Sequence, residues 1–136
     1  MPLSTPVSLR KEDVMAKILI VDDSPAQLYT LQKIVEKAGH QVISAEDGAL
    51  GVETARAELP DLILMDVVMP NLNGFQATRT LSRDDSTGHI PIILVTTKDQ
   101  ETDRVWGMRQ GAKAYVTKPV DEKIMLQTIN QLLPAG

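Results

Sequence analysis

The chain has 136 residues, enough for one domain with a normal hydrophobic core. Hydrophobic residues make up 43% of it and charged residues 24%, a balance typical of a soluble globular protein rather than a disordered one. The formal net charge of −4 gives no driving force for binding nucleic acid. The absence of cysteine excludes disulfides and thiolate metal sites, and no apolar run approaches the ~20 residues that span a bilayer. We therefore expect a cytoplasmic protein that neither inserts into a membrane nor binds nucleic acid.

The first 14 residues differ from the rest of the chain. They contain Pro2 and Pro6, show no clear periodicity and lack the apolar core of a signal peptide. We predict that residues 1–14 form a flexible N-terminal tail and that residues 15–136 form one domain.

Short apolar runs alternate with helical patterns from Lys17 onward. Four of the five runs are nearly continuous, which is typical of strands buried on both faces of a parallel sheet. The runs are Ile18–Val21, Gln41–Ala45, Leu62–Met65, Ile92–Val95 and Ala114–Val116.

Each run is followed by a predicted helix. Ser24 and Pro25 open the first as cap and first helical residue, and Gly39 ends it. The second runs from about Asp47 to Glu58, the third begins near Asn73, and the fourth covers roughly Gln100 to Gln110. The last begins near Asp121, with an apolar face predicted from Ile124, Ile129, Leu132 and Leu133. Five strand–helix repeats predict an α/β fold with a doubly wound, five-stranded parallel sheet.

Polar residues follow four of the predicted strands. Because the carboxyl ends of parallel strands meet at one edge of a sheet, we expect these side chains to converge there. They are Asp22 and Asp23 after the first strand, Asp66 after the third, Thr96 and Thr97 at the end of the fourth, and Lys118 after the fifth.

This set of residues fits phosphoryl transfer. Crowded carboxylates repel one another unless a cation neutralises them, and Mg²⁺ suits a site with few protein oxygens. One carboxylate then serves as a nucleophile toward phosphorus, while Lys118 and Thr96 contact phosphoryl oxygens. Each residue alone has an ordinary interpretation as a turn, cap or solvated side chain. Their joint position at successive strand ends favours a functional site.

The motifs also carry a family resemblance. Asp22-Asp23-Ser24, the stretch from Leu64 to Gly74 around Asp66, Val95-Thr96-Thr97, and Tyr115 to Pro119 resemble the receiver domain of bacterial response regulators over about Lys17 to Pro134. The resemblance implies a flavodoxin-like sheet with strand order 2-1-3-4-5, borrowed from such folds. Gly74–Arg79 and Thr96–Asp103 are similar to the PilH-type, CheY-like regulators of the chemosensory system that controls type IV pili and twitching motility.

The resemblance assigns a role to each site residue. It makes Asp66 the phosphoacceptor, Asp23 a direct Mg²⁺ ligand, Asp22 a ligand acting largely through water, and the Val68 backbone carbonyl a further ligand. Lys118 would pair with the phosphoryl group and form a cis peptide bond with Pro119. Thr96 would be the switch hydroxyl and Tyr115 the switch aromatic, rotating inward once Thr96 moves. Val68 is apolar where well-studied receivers often have a polar residue, and with Lys98 it should affect the lifetime of the phosphoryl group.

The implied partners are proteins. A histidine kinase or histidine phosphotransfer domain would donate the phosphoryl group. A target protein would then bind the face formed by the fourth helix, fifth strand and fifth helix, unless the chain acts as a phosphate sink. The chain would be no enzyme beyond catalysing its own phosphorylation and dephosphorylation.

Three alternatives remain. A phosphatase with an Asp nucleophile needs a second acid two residues later, where this chain has Val68. A nucleotide or flavin binder needs a glycine-rich turn after the first strand, where this chain has Asp22-Asp23-Ser24-Pro25. A receiver scaffold that works without phosphorylation would not require the complete set of site residues.

Overall fold

All five strands join one parallel sheet in the order β2-β1-β3-β4-β5, which confirms the predicted fold class and strand order. The computed structural model describes residues 15–133, so the predicted tail lies outside the described residues. The strands are β1 (Lys17–Val21), β2 (Gln41–Ala45), β3 (Leu62–Met65), β4 (Ile92–Thr96) and β5 (Ala114–Thr117).

A helix follows each strand. The helices are α1 (Pro25–Lys37), α2 (Gly48–Glu58), α3 (Gly74–Arg83), α4 (Glu101–Arg109) and α5 (Glu122–Leu132). Within residues 15–133, none of them is both long and apolar enough to cross a bilayer.

The helix ends show why these segments begin and stop where they do. The Ser24 hydroxyl accepts a hydrogen bond from the Gln27 amide at 3.4 Å, and Gly39 leaves α1 with a φ of +94°. Asp47 caps α2 by accepting the Leu50 amide at 2.7 Å. The other end of α2 has Leu59 at a φ of +46°, a left-handed conformation that no glycine signals in the sequence.

The core lies on both faces of the sheet. Alternate strand residues point to opposite faces, so Leu19 and Ile63 pack toward α2 and α3 while Ile18 and Leu62 pack toward α1 and α5. These strand side chains have no exposed surface, as the nearly continuous apolar runs predict.

One predicted core residue is wrong. Ile124 was expected on the apolar face of the last helix, but its side chain is 53% exposed. Met125 and Ile129, four residues apart on one face of α5, pack into the core instead, and Leu133 follows at the same spacing. Ile124 precedes Met125 by one residue and so lies about 100° around the helix, away from the sheet.

Candidate functional site

The carboxyl ends of β1, β3 and β5 bring the predicted site residues together. Backbone hydrogen bonds continue the sheet one step past the strands: the Asp66 amide donates to Val21 at 2.9 Å, and the Asp22 amide donates to Ala45 at 3.1 Å. The Lys118 amide donates to the Thr96 carbonyl at 2.8 Å in the same way. These bonds hold Asp22, Asp66 and Lys118 at one edge of the sheet, and the Lys118–Pro119 peptide bond is cis.

Three carboxylates form the centre of this cluster. Asp22, Asp23 and Asp66 each offer an oxygen, and these oxygens all lie within 4.8 Å of one another. The Lys118 ammonium donates to Asp22 Oδ2 at 2.8 Å and lies 3.7 Å from Asp66 Oδ1. Asp22 Oδ1 also accepts the Ser24 amide at 2.9 Å, which fixes the turn into α1.

Burial separates the three acids. Asp22 and Asp66 are only 1% and 7% exposed, whereas Asp23 faces solvent. Burial and, to a lesser extent, the neighbouring Asp22 carboxylate raise the pKa of Asp66 above its usual value. The Lys118 ammonium and hydrogen bonds from the backbone amides of Val67 and Val68 act in the opposite direction on this pKa.

The donor set fits a divalent cation with oxygen ligands. Three ionised carboxylates beside one ammonium leave a net charge of about −2, which such a cation cancels. Two ligands are held rigidly by burial and the third faces water, so a small ion could keep several of its own waters here. Val68 lies two residues beyond Asp66, in the loop after β3.

The two threonines at the end of β4 differ in burial. Thr96 ends β4 with no exposed surface, and its hydroxyl accepts the Lys98 amide at 3.2 Å. Thr97 lies one residue beyond the strand, is exposed, and lines a hollow with Gln27 of α1 and Lys118. Thr96 is therefore buried at the end of the strand while Thr97 reaches solvent, and the convergence of the Thr97 hydroxyl with the carboxylates stays a prediction.

Tyr115 is already packed. Its ring lies against the core cluster on the α2–α3 side of the sheet, near Gly107, and its hydroxyl donates to the Lys98 carbonyl at 2.7 Å. Burial, followed by the nearby Asp103 and Asp99 carboxylates, raises the pKa of this hydroxyl to about 12. The inward rotation on phosphorylation that the resemblance implies stays a prediction.

Sequence reasoning missed two features of the site. The ion pair between Lys118 and Asp22 joins the fifth and first strand ends, and no local motif signals it. The Lys98 backbone links Thr96, through its amide, to Tyr115, through its carbonyl. The sequence had drawn attention to Lys98 only for its position near Asp66.

This site lies on a fold that occurs in a large protein family. The family model of the response regulator receiver domain matches residues 18–130. The chain therefore belongs to the response regulator receiver domain family.

Among its relatives, Protein PilH of Pseudomonas aeruginosa is 64% identical over 119 residues, which cover 88% of this chain and 98% of PilH. The response regulator PleD of Caulobacter vibrioides is 38% identical over 86% of this chain, but the match spans only 26% of PleD. This contrast makes PilH the more informative relative for the function of this chain.

Solved structures agree with the fold. The chemotaxis protein CheY4 of Vibrio cholerae superposes with a TM-score of 0.82 at 29% identity, covering 88% of this chain and all of CheY4. The receiver domain of a Pseudomonas aeruginosa sensor histidine kinase, solved with a magnesium ion coordinated in its active site cleft, gives a TM-score of 0.81 at 27% identity. It covers 88% of this chain and 98% of its own.

Proposed function

We propose that this chain is a phosphorylation-dependent response regulator in which Asp66 accepts a phosphoryl group from a histidine kinase or histidine phosphotransfer domain. One observation carries the proposal: the buried Asp66 carboxylate lies 3.7 Å from the Lys118 ammonium, within a cluster of three carboxylates that could hold a cation. The receiver domain would extend over residues 15–136.

The chemical step is a phosphoryl transfer between two protein side chains. An Asp66 carboxylate oxygen forms a bond to phosphorus as the phosphorus–nitrogen bond of the donor phosphohistidine breaks. The electron pair of that bond stays on the imidazole nitrogen, and the product is an acyl phosphate on Asp66. Lys118, now held by Asp22, is close enough to shift toward the new negative charge.

Magnesium would be held by the side chains of Asp23, Asp66 and, largely through water, Asp22, together with the Val68 backbone carbonyl. When bound, Mg²⁺ supplies positive charge that lowers the cost of bringing an anionic phosphoryl group to three carboxylates. The site favours Mg²⁺ because its ligands are carboxylate oxygens and because the exposed Asp23 leaves room for water molecules on the ion.

The signal would leave the site through Thr96. A phosphoryl group on Asp66 would attract the Thr96 hydroxyl, and the Lys98 amide would then lose its hydrogen-bond acceptor. The backbone of Lys98, whose carbonyl accepts from the Tyr115 hydroxyl, would become free to move. We define the output face as the surface of α4, β5 and α5, where Trp106 and Ile124 are 49% and 53% exposed. A target protein would bind there, unless the chain serves as a phosphate sink for a shared kinase.

The similarity to PilH supports a role in a chemosensory system for type IV pili and twitching motility, in the cytoplasm. The apolar Val68, where an Asp-nucleophile phosphatase needs an acid, argues against turnover of external phosphate esters. The chain would catalyse only its own phosphorylation and dephosphorylation.

The proposal is tested with acetyl phosphate and intact mass spectrometry. With Mg²⁺ present, the parent chain should gain the mass of one phosphoryl group, and it should not do so in the presence of EDTA. Asp66→Ala should gain none under either condition, and Asp61→Ala is a matched control because Asp61 is an exposed acid in the α2–β3 turn. Equal modification of Asp66→Ala and the parent would refute the proposal.

A further inference from the structure

The β3–α3 loop, residues 67–73, connects the phosphoacceptor strand to α3 and contains Val68. Three of its apolar side chains, Val67, Met69 and Leu72, pack into the core cluster that α2 and α3 cover. The loop is therefore part of the packed structure, and its backbone moves only if those side chains repack. This matters because a metal ligand contributed by a backbone carbonyl is placed by the loop as a whole.

Each end of the loop is in close contact with a glycine, Gly74 at its start and Gly48 at its far end. Gly74, the first residue of α3, lies against the start of the loop. A Cβ atom on Gly74 would overlap the Asp66 carbonyl oxygen and lie 2.8 Å from the Val67 Cα. The Gly74 amide donates to the Val67 carbonyl at 2.9 Å, so the loop folds back on itself at this point. Any side chain at position 74 would push the phosphoacceptor backbone out of place.

The second glycine comes from a different element. Gly48 is the first residue of α2 and is buried. A Cβ atom on it would overlap the Leu72 carbonyl oxygen and would lie 3.1 Å from the Leu72 carbonyl carbon and 3.2 Å from its Cβ. The start of α2 thus lies directly against the backbone of the far end of the loop, at a distance that only glycine permits.

We propose that Gly48 is a positioning residue for the metal site. Its missing side chain lets α2 support the β3–α3 loop, which carries the Val68 carbonyl and follows Asp66, the two groups that would bind the cation. This inference rests on the function proposed above. The residue that makes the contact, Leu72, is only four positions beyond Val68, and the loop between them is packed, so a shift of the Leu72 backbone reaches the ligand carbonyl.

The test is a calorimetric titration of metal-free protein with Mg²⁺ alone. Gly48→Ala should raise the dissociation constant about tenfold, the range seen when support of metal ligands is lost. Ala49→Gly is the matched control, because Ala49 is the next residue of α2 and is exposed. It should lower the melting temperature through its poorer helix propensity and change the dissociation constant less than twofold.

A second measurement separates a displaced loop from general destabilisation. In ¹H–¹⁵N correlation spectra of metal-free Gly48→Ala, the shifted amide signals should concentrate in residues 67–73, whereas Ala49→Gly should shift signals only near its own position. If Gly48→Ala does not fold, Leu72→Ala serves instead: it removes a side chain that anchors the same loop and should also weaken Mg²⁺ binding.

The outcomes are distinct. Mg²⁺ binding to Gly48→Ala with the dissociation constant of the parent chain overturns the inference and leaves the proposed function standing. An equal loss of affinity in Gly48→Ala and Ala49→Gly also overturns it, because the effect would then follow stability rather than loop position. Failure of the parent chain to bind Mg²⁺ contradicts the proposed function itself.

Discussion

At the scale of single residues, His40 has a structural contact that the sequence does not reveal. His40 lies in the turn between α1 and β2. The structure buries it and makes its Nδ1 the acceptor for the Ala16 amide at 3.0 Å, at the entry to β1. Periodicity carries no information about such a contact, because it joins residues 24 positions apart.

The His40 contact predicts a pH dependence of stability. Burial lowers the pKa of His40 below its usual 6.5, with a smaller opposing effect from the Asp61 carboxylate. The unfolded chain therefore takes up the proton first, and stability falls as the pH drops below about 6.5. Thermal melts of His40→Gln between pH 7 and pH 5 should show a shallower decline than the parent chain. His89→Gln, at an exposed histidine, should keep the slope of the parent, and equal slopes in all three proteins would contradict this account.

Replacing Thr78, a buried residue of α3, by valine is expected to stabilise the protein. Its side chain has no exposed surface, and within residues 15–133 its hydroxyl has no hydrogen-bond partner. Thr78→Val replaces the hydroxyl by a methyl group of similar size and should raise the free energy of unfolding by about 1 kcal/mol.

Urea denaturation measures this change, and a second buried threonine provides the control. The Thr87 hydroxyl donates to the Leu81 carbonyl at 2.8 Å, so Thr87→Val should lower the free energy of unfolding by about 1 kcal/mol. A loss of stability in Thr78→Val would mean that its hydroxyl has a partner.

At the scale of elements, the segment between β4 and α4 links two parts of the site. The Lys98 amide donates to Thr96 and the Lys98 carbonyl accepts from Tyr115, so one peptide segment connects β4 to β5. A double-mutant cycle with Thr96→Val and Tyr115→Phe should give a coupling free energy of at least about 0.5 kcal/mol in urea denaturation. In a matched cycle, Tyr29→Phe replaces Tyr115→Phe; Tyr29 is 61% exposed on α1, and its effect should be additive. Additivity in both cycles would show that the Lys98 segment transmits nothing.

The elements also show how far the sequence predicts the fold. Every strand and the start of every helix was predicted within about two residues, because buried parallel strands and helix caps leave strong local signals, but no end was predicted for α3 or α5. The exposure of Ile124 and the left-handed backbone of Leu59 were not predicted. The orientation of α5 depends on packing against the sheet, and the left-handed Leu59 conformation depends on where the chain must turn after α2.

At the scale of the whole molecule, the sheet topology creates the site. Asp22, Asp66 and Lys118 are far apart along the chain, yet backbone hydrogen bonds between neighbouring strands bring them to one edge. This convergence was predictable because each of these residues follows a strand of a predicted parallel sheet. The ion pair of Lys118 with Asp22 and the packed ring of Tyr115 were not, because each depends on side-chain directions that only the folded structure defines.

The central claim is that Asp66 itself carries the phosphoryl group, and chemical trapping tests it most directly. The chain is phosphorylated with acetyl phosphate and Mg²⁺ and then treated with borohydride, which reduces an aspartyl phosphate to homoserine. Peptide mass spectrometry should then find homoserine at position 66 and intact aspartate at positions 22 and 23. Homoserine at position 22 or 23, or a phosphoryl group retained on another residue while Asp66 stays unchanged, would contradict the account.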